Sequence, residues 1–200
     1  MAIPSVPDFQ PPSAMPRPVR RSLLAVLLVL PLLAASALGQ EIPEDSVRII
    51  GLFAHPDDGE YKMGGTAARL AEAGHKIKFV SLTNGDAGHH EQGGGALGQR
   101  RRAEAKEAAR RLGIDAYEVL DYHDAELMPT LAVRRDVIRL IREWDADVVI
   151  GHRPNDYHPD HRYAGRVVQD AAYMVQVPNV VSRVPPTDGN PVFLYLEDRF

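Results

Sequence analysis

Two short segments carry the side-chain types that do chemistry. The first is Ala54-His55-Pro56-Asp57-Asp58-Gly59-Glu60. His55 and Asp58 are three residues apart, so a turn entering a helix aims both at one centre and sends Asp57 elsewhere. Three carboxylates within four positions repel one another, and a bound cation offsets that cost. A helix N-terminus also favours acidic residues, but it does not account for the His-Pro pair. The second segment is His152 followed by Asn155-Asp156-Tyr157-His158-Pro159-Asp160-His161. His158 and His161 repeat the i, i+3 spacing. Together the segments supply two or three imidazoles and at least one carboxylate. A His₂-carboxylate set with an open fourth position is a catalytic zinc arrangement. Imidazole favours zinc over magnesium or calcium, while iron(II) accepts the same ligands.

The elements around these segments must bring them together. Residues 47 to 53, VRIIGLF, are β-branched and apolar and predict a buried strand. A helix is expected from about Glu60 to Ala73, closed by Gly74. Residues 76 to 82 predict a second strand, and a Gly-rich loop follows to about residue 96. Helical spacing runs from 97 to 112 and stops at Gly113. Further strands are expected at 116 to 120, at 147 to 151 and from Val192 to Leu196. Helices are expected from Thr130, as cap, to Trp144, and from about Asp160 to Val175. Strands alternating with helices predict an α/β fold: a three-layer, Rossmann-like, mostly parallel sheet with helices on both faces. Ligands in such sheets sit outside the carboxyl ends of the strands. That rule gathers the loops 54 to 59, 83 to 96 and 152 to 161. Residues 86 to 96 read as a mobile lid over the site, with His89, His90 and Glu91 on its surface. His123 falls near the rim.

Composition narrows the function classes. The chain has 200 residues, 44% hydrophobic and 25% charged, with a net charge of -4, the mix of a globular domain. Nothing in the charge pattern points to nucleic acid. Cysteine is absent, which excludes disulfides, thiolate catalysis and Cys-ligated zinc. Gly93-Gly94-Gly95 is no phosphate loop, since no Lys-Ser/Thr pair follows it. Residues 1 to 40 read as a targeting segment. Arg17, Arg20 and Arg21 precede an apolar run containing Pro31, and small residues close it at Ala35, Ala37 and Gly39, as in a signal peptide. Cleavage after Ala37 or Gly39 fits equally well. An uncleaved anchor would be the chain's only membrane association. The Arg20-Arg21 pair also suits twin-arginine export. The expected product is a periplasmic or secreted domain over residues 41–200, ending at Phe200 either on an edge strand or as a truncated form.

His55-Pro56-Asp57-Asp58 with His158-Pro159-Asp160-His161 resembles the PIG-L/LmbE family of zinc-dependent N-acetylglucosaminyl deacetylases. The likeness covers nearly all of residues 47 to 175. It extends to Gly64-Gly65-Thr66, to Thr83-Asn84-Gly85-Asp86, and to Arg101 with Glu104 ahead of Leu112-Gly113. The resemblance implies His55, Asp58 and His161 as the zinc ligands and Asp57 as general base on the metal-activated water. It implies that His158 steadies the oxyanion or protonates the leaving amine, that Asp160 orients His158, and that Arg101 touches substrate. The expected reaction removes the acetyl group of an N-acetylated, GlcNAc-type sugar or a related amide. Its substrate is a small molecule or glycan. Hydrolysis of another amide or an ester, and carbohydrate binding without catalysis, are the rival readings. Family domains run on past the position of Phe200, which is where this sequence departs from the pattern.

Overall fold

A computed structural model of the protein describes residues 45–197; the export segment expected at 1 to 40 lies outside the described residues. Five strands form one sheet: β1 (Arg48–Phe53), β2 (Lys76–Thr83), β3 (Ala116–Tyr122), β4 (Val148–Gly151) and β5 (Val192–Tyr195). A helix follows each of the first four: α1 (Asp58–Glu72), α2 (Gly94–Leu112), α3 (Leu131–Trp144) and α4 (Pro159–Met174). The strand order is β3-β2-β1-β4-β5, and every pairing is parallel. The sheet is therefore wholly parallel, and β5 joins it by pairing Val192 with Val148 and Tyr195 with Gly151.

Alternation along the strands sorts the core into two layers. Ile50 and Leu52 of β1, with Val80 and Leu82 of β2, face α3 and α4. Ile49 and Phe53, with Ile77 and Phe79, face α1 and α2. Phe53 and Phe79 meet edge to face at 5.3 Å and leave no room for a side chain at Gly59, where a Cβ would lie 2.7 Å from the Phe79 ring.

Local signals set the helix ends. The Thr130 hydroxyl accepts from the Val133 N–H at 3.4 Å, capping α3. Gly113 closes α2 at φ 72, as a left-handed C-cap does. On the other side of β4, Arg142 of α3 is only 5% exposed. Its guanidinium donates to the carbonyls of Met174, Val175, Val177, Val180, Val181 and Val184. Met174 and Val175 end α4, where a helix lacks internal donors, and the other four carbonyls belong to the segment that follows.

The strand order fixes the site. The chain leaves β1 toward β2 and β3 on one side and returns to β4 on the other. The loops after the adjacent strands β1 and β4 therefore diverge around a crevice, the switch point at which such sheets bind ligands.

Candidate metal centre

The carbonyl of Ala54 ties the loop after β1 to the end of β2. It accepts from the Thr83 N–H and hydroxyl, both at 2.8 Å, and from the Ser81 hydroxyl at 3.1 Å. His55 follows on this fixed point. Across the crevice, α4 starts at Pro159 with His158 as its cap, which places His161 one turn into the helix. His55 Nδ1 and His161 Nε2 are 3.2 Å apart. His55 Nδ1 is 3.3 Å from Asp58 Oδ2, and His161 Nε2 is 3.3 Å from Asp58 Oδ1. A tetrahedral ion with bonds of roughly 2.0 Å has ligand–ligand edges of about 3.3 Å. Each contact is thus about the length of one such edge, with Asp58 turning Oδ2 to His55 and Oδ1 to His161, and the three side chains suit the expected group.

Carboxylates behind the imidazoles fix their tautomers. His161 Nδ1 lies 3.0 Å from Asp156 Oδ1, and a carboxylate only accepts. Nδ1 therefore carries the proton, and Nε2 keeps its lone pair for a cation. His55 Nε2 lies 3.1 Å from Asp124 Oδ1 and 3.4 Å from Asp160 Oδ2, which leaves its Nδ1 for the centre. Burial alone would depress His55; Asp124, Asp160 and Asp58 outweigh it and push its pKa up to about 12. Burial likewise opposes ionisation of Asp58, yet His152, His161 and His55 hold its carboxyl well below the ordinary range.

A cavity of about 240 Å³ opens beside this triangle, lined in part by Asp57, Arg101, Tyr157 and His158. Asp57 is exposed to it. Burial by the surrounding protein and the charge of Asp58 raise the Asp57 pKa, against a smaller opposing effect of Arg101. The Arg101 guanidinium donates to Glu104 at 3.0 Å and to the Gly88 carbonyl at 3.3 Å. His158 accepts the Asp160 N–H at its Nδ1, at 3.2 Å. Burial, then His55 and His161, lower its pKa, so the ring is neutral with its proton on Nε2.

All seven residues expected from the sequence lie at this crevice. Asp160 differs in what it faces: its carboxylate accepts the Ala125 N–H at 2.8 Å and lies against His55. Its contact with His158 runs through the backbone N–H. Three further residues carry the site. His152 and Asp156 sit inside the second motif, but nothing in their spacing separates them from loop residues. Asp124 comes from the loop after β3, two strands away from β1. Asp86 Oδ1 accepts the Asp124 N–H at 3.0 Å, and Ala125 turns at φ 68, so the loop folds back over the crevice. The gathering of every βα loop at one sheet edge was the available signal. His123 is held at the rim by Asp86, at 2.8 Å.

Fold and site together define a doubly wound α/β protein with a cluster of His and Asp side chains at its switch point that could hold a metal ion. The family model described as PIG-L, GlcNAc-PI de-N-acetylase, matches residues 50–172, and the chain belongs to this family. A diacetylchitobiose deacetylase of Thermococcus kodakarensis is 33% identical over 140 residues, 68% of this chain and 52% of the relative. A 1D-myo-inositol 2-acetamido-2-deoxy-alpha-D-glucopyranoside deacetylase of Streptomyces griseus is 29% identical over 169 residues, 70% of this chain and 53% of the relative. Among solved structures, the N,N'-diacetylchitobiose deacetylase of Pyrococcus horikoshii superposes with a TM-score of 0.72 at 28% identity. That match covers 80% of this chain and 64% of the other. The chain spans about half the length of the curated relatives it matches.

Proposed function

We propose that the protein is an exported zinc-dependent N-deacetylase, releasing acetate from an N-acetylglucosamine-type sugar. The observation that carries this reading is the triangle of His55, Asp58 and His161 opening on a cavity that Asp57 and His158 share. The named relatives act on acetamido sugars, which supports the substrate class. The cavity is smaller than the roughly 300 Å³ at which drug-sized sites begin. It suits one sugar ring presenting its acetamide. Two imidazoles in the donor set favour zinc.

Zinc in this cradle would lower the pKa of a water and polarise the amide carbonyl. The remaining work falls to the chain's own residues. Asp57, on the cavity wall beside Asp58, takes the proton of the attacking water. The His158 Nε2–H, fixed by the hydrogen bond at Nδ1, donates to the oxygen on which negative charge develops. Because the ring is neutral, this role suits it better than that of an imidazolium acid. The proton held on Asp57 then passes to the departing nitrogen, since an amine leaves only when protonated. Arg101 offers its guanidinium to substrate hydroxyls at the cavity wall. Export rests on the charged and apolar pattern of residues 17 to 39.

The test is acetate release from N-acetylglucosamine-containing substrates, with zinc and with a chelator, beside Asp57→Ala. The reading expects zinc-dependent release that the variant loses while it still binds metal. Metal binding with no release from any acetamido sugar would refute the activity.

A further inference from the structure

His152 is 2% exposed and lies 3.1 Å from Asp58 Oδ2 through its Nε2. The donors of Asp58, His152 and His161 lie within 4.8 Å of one another, so His152 competes with His55 for a place among the ligands. The ring planes decide between them. The His152 and His161 rings are stacked, 4.1 Å between centroids and 10° between planes. An imidazole binds a metal along a lone pair in its own ring plane. An ion in the plane of one stacked ring lies well outside the plane of the other, so these two rings cannot share an ion. The His55 and His161 planes are inclined at 54° and can converge.

Asp58 Oδ2 already accepts the His55 N–H at 2.8 Å. A carboxylate only accepts, so the His152 nitrogen facing it must be the protonated one. Two donors thus pin Oδ2 and turn Oδ1 toward His161. The stacked ring also fixes the tilt of His161, while Phe53 braces the far side of His152 edge-on at 5.9 Å.

We propose that His152 is a positioning residue of the metal centre: a non-ligating imidazole that orients both Asp58 and His161. This rests on the metal reading above. Groups that orient ligands from behind typically contribute about 10–100-fold in metal affinity.

The test uses the full chain and its His152→Phe and His152→Gln variants. Phe keeps a ring for the stack and removes the donor; Gln keeps an N–H donor and removes the ring. Zinc affinity is measured by competition with a chromophoric chelator, and coordination by the visible spectrum of the cobalt(II)-loaded protein. The expected result for His152→Phe is zinc binding weakened about 10–100-fold with the cobalt band pattern of the parent retained. His152→Gln should recover part of the loss. If His152→Phe does not fold, the Gln variant is decisive: binding between parent affinity and a 100-fold loss, with unchanged cobalt bands, supports the role. Parent affinity in the folded Phe variant would overturn the inference. A cobalt spectrum showing one nitrogen ligand fewer would overturn it by making His152 a ligand. A parent chain that binds no zinc would instead overturn the metal reading itself.

Discussion

Gly165 lies one turn beyond His161 on α4, where the helix crosses the end of β4. A Cβ there would sit 2.5 Å from the His152 carbonyl oxygen and 2.8 Å from the Arg153 backbone, where ordinary contact begins at 3.4 Å. The obstacle is backbone and cannot rotate away. In Gly165→Ala, α4 must back off by roughly 0.9 Å, carrying His161 from His55 and Asp58. Ligand distances in a working site hold to about 0.2 Å, so the displacement is several times the tolerance. We expect zinc affinity to fall at least about 100-fold, near 2.7 kcal/mol of lost ligand stabilisation. The metal-free protein should change much less. Alanine gains about 1 kcal/mol of helix propensity, against roughly 1–3 kcal/mol for overpacking. Chelator competition and metal-free thermal unfolding measure the two quantities separately. Gly65→Ala on exposed α1, where a Cβ meets nothing within 4 Å, is the control and should leave zinc binding unchanged. Zinc affinity in Gly165→Ala within threefold of the parent would refute the claim that this contact sets the ligand triangle.

Zinc loading should release about one proton per ion near pH 8, because a pKa raised to about 12 keeps His55 protonated in the metal-free protein; an indicator dye in weak buffer reads this directly. By linkage, a histidine raised from 6.5 to about 12 contributes stability that is complete below pH 6.5 and lost as pH climbs toward 12. Metal-free unfolding midpoints should therefore fall across that window, and rising midpoints would contradict the assignment. Asp124→Ala removes a carboxylate behind His55 and should weaken zinc binding about 10–100-fold in the same competition assay. Arg142→Met strips donors from the carbonyls closing α4 and should cost about 3 kcal/mol or more in urea unfolding, and Arg142→Lys, lacking the planar fork, should not restore it.

Much of the candidate site was legible in the sequence because it is local. His55 with Asp58, and His158 with His161, each fit one turn at the end of an apolar strand. Apolar alternation and glycine stops placed the nine elements within a few residues of their observed ends. The sharpest shift is α2, which begins at Gly94 rather than near residue 97. Gly94 takes φ 67 and donates its N–H to the Asp86 carbonyl at 2.8 Å, a tie across the loop that helical spacing does not record.

What the tertiary structure alone decided is which groups face each other across strands. Asp124 joins the centre because the β3 loop is pinned between Asp86 and Asp160, residues 38 and 35 positions away in the chain. Asp160 turns to His55 because its carboxylate accepts the Ala125 N–H there. His152 takes its place beside Asp58 because β4 lies next to β1 in register, Gly151 against Leu52, and because α4 packs close enough at Gly165 to stack His161 on it. Spacing along the chain determines what a single turn can aim. Strand order and helix packing determine what it is aimed at.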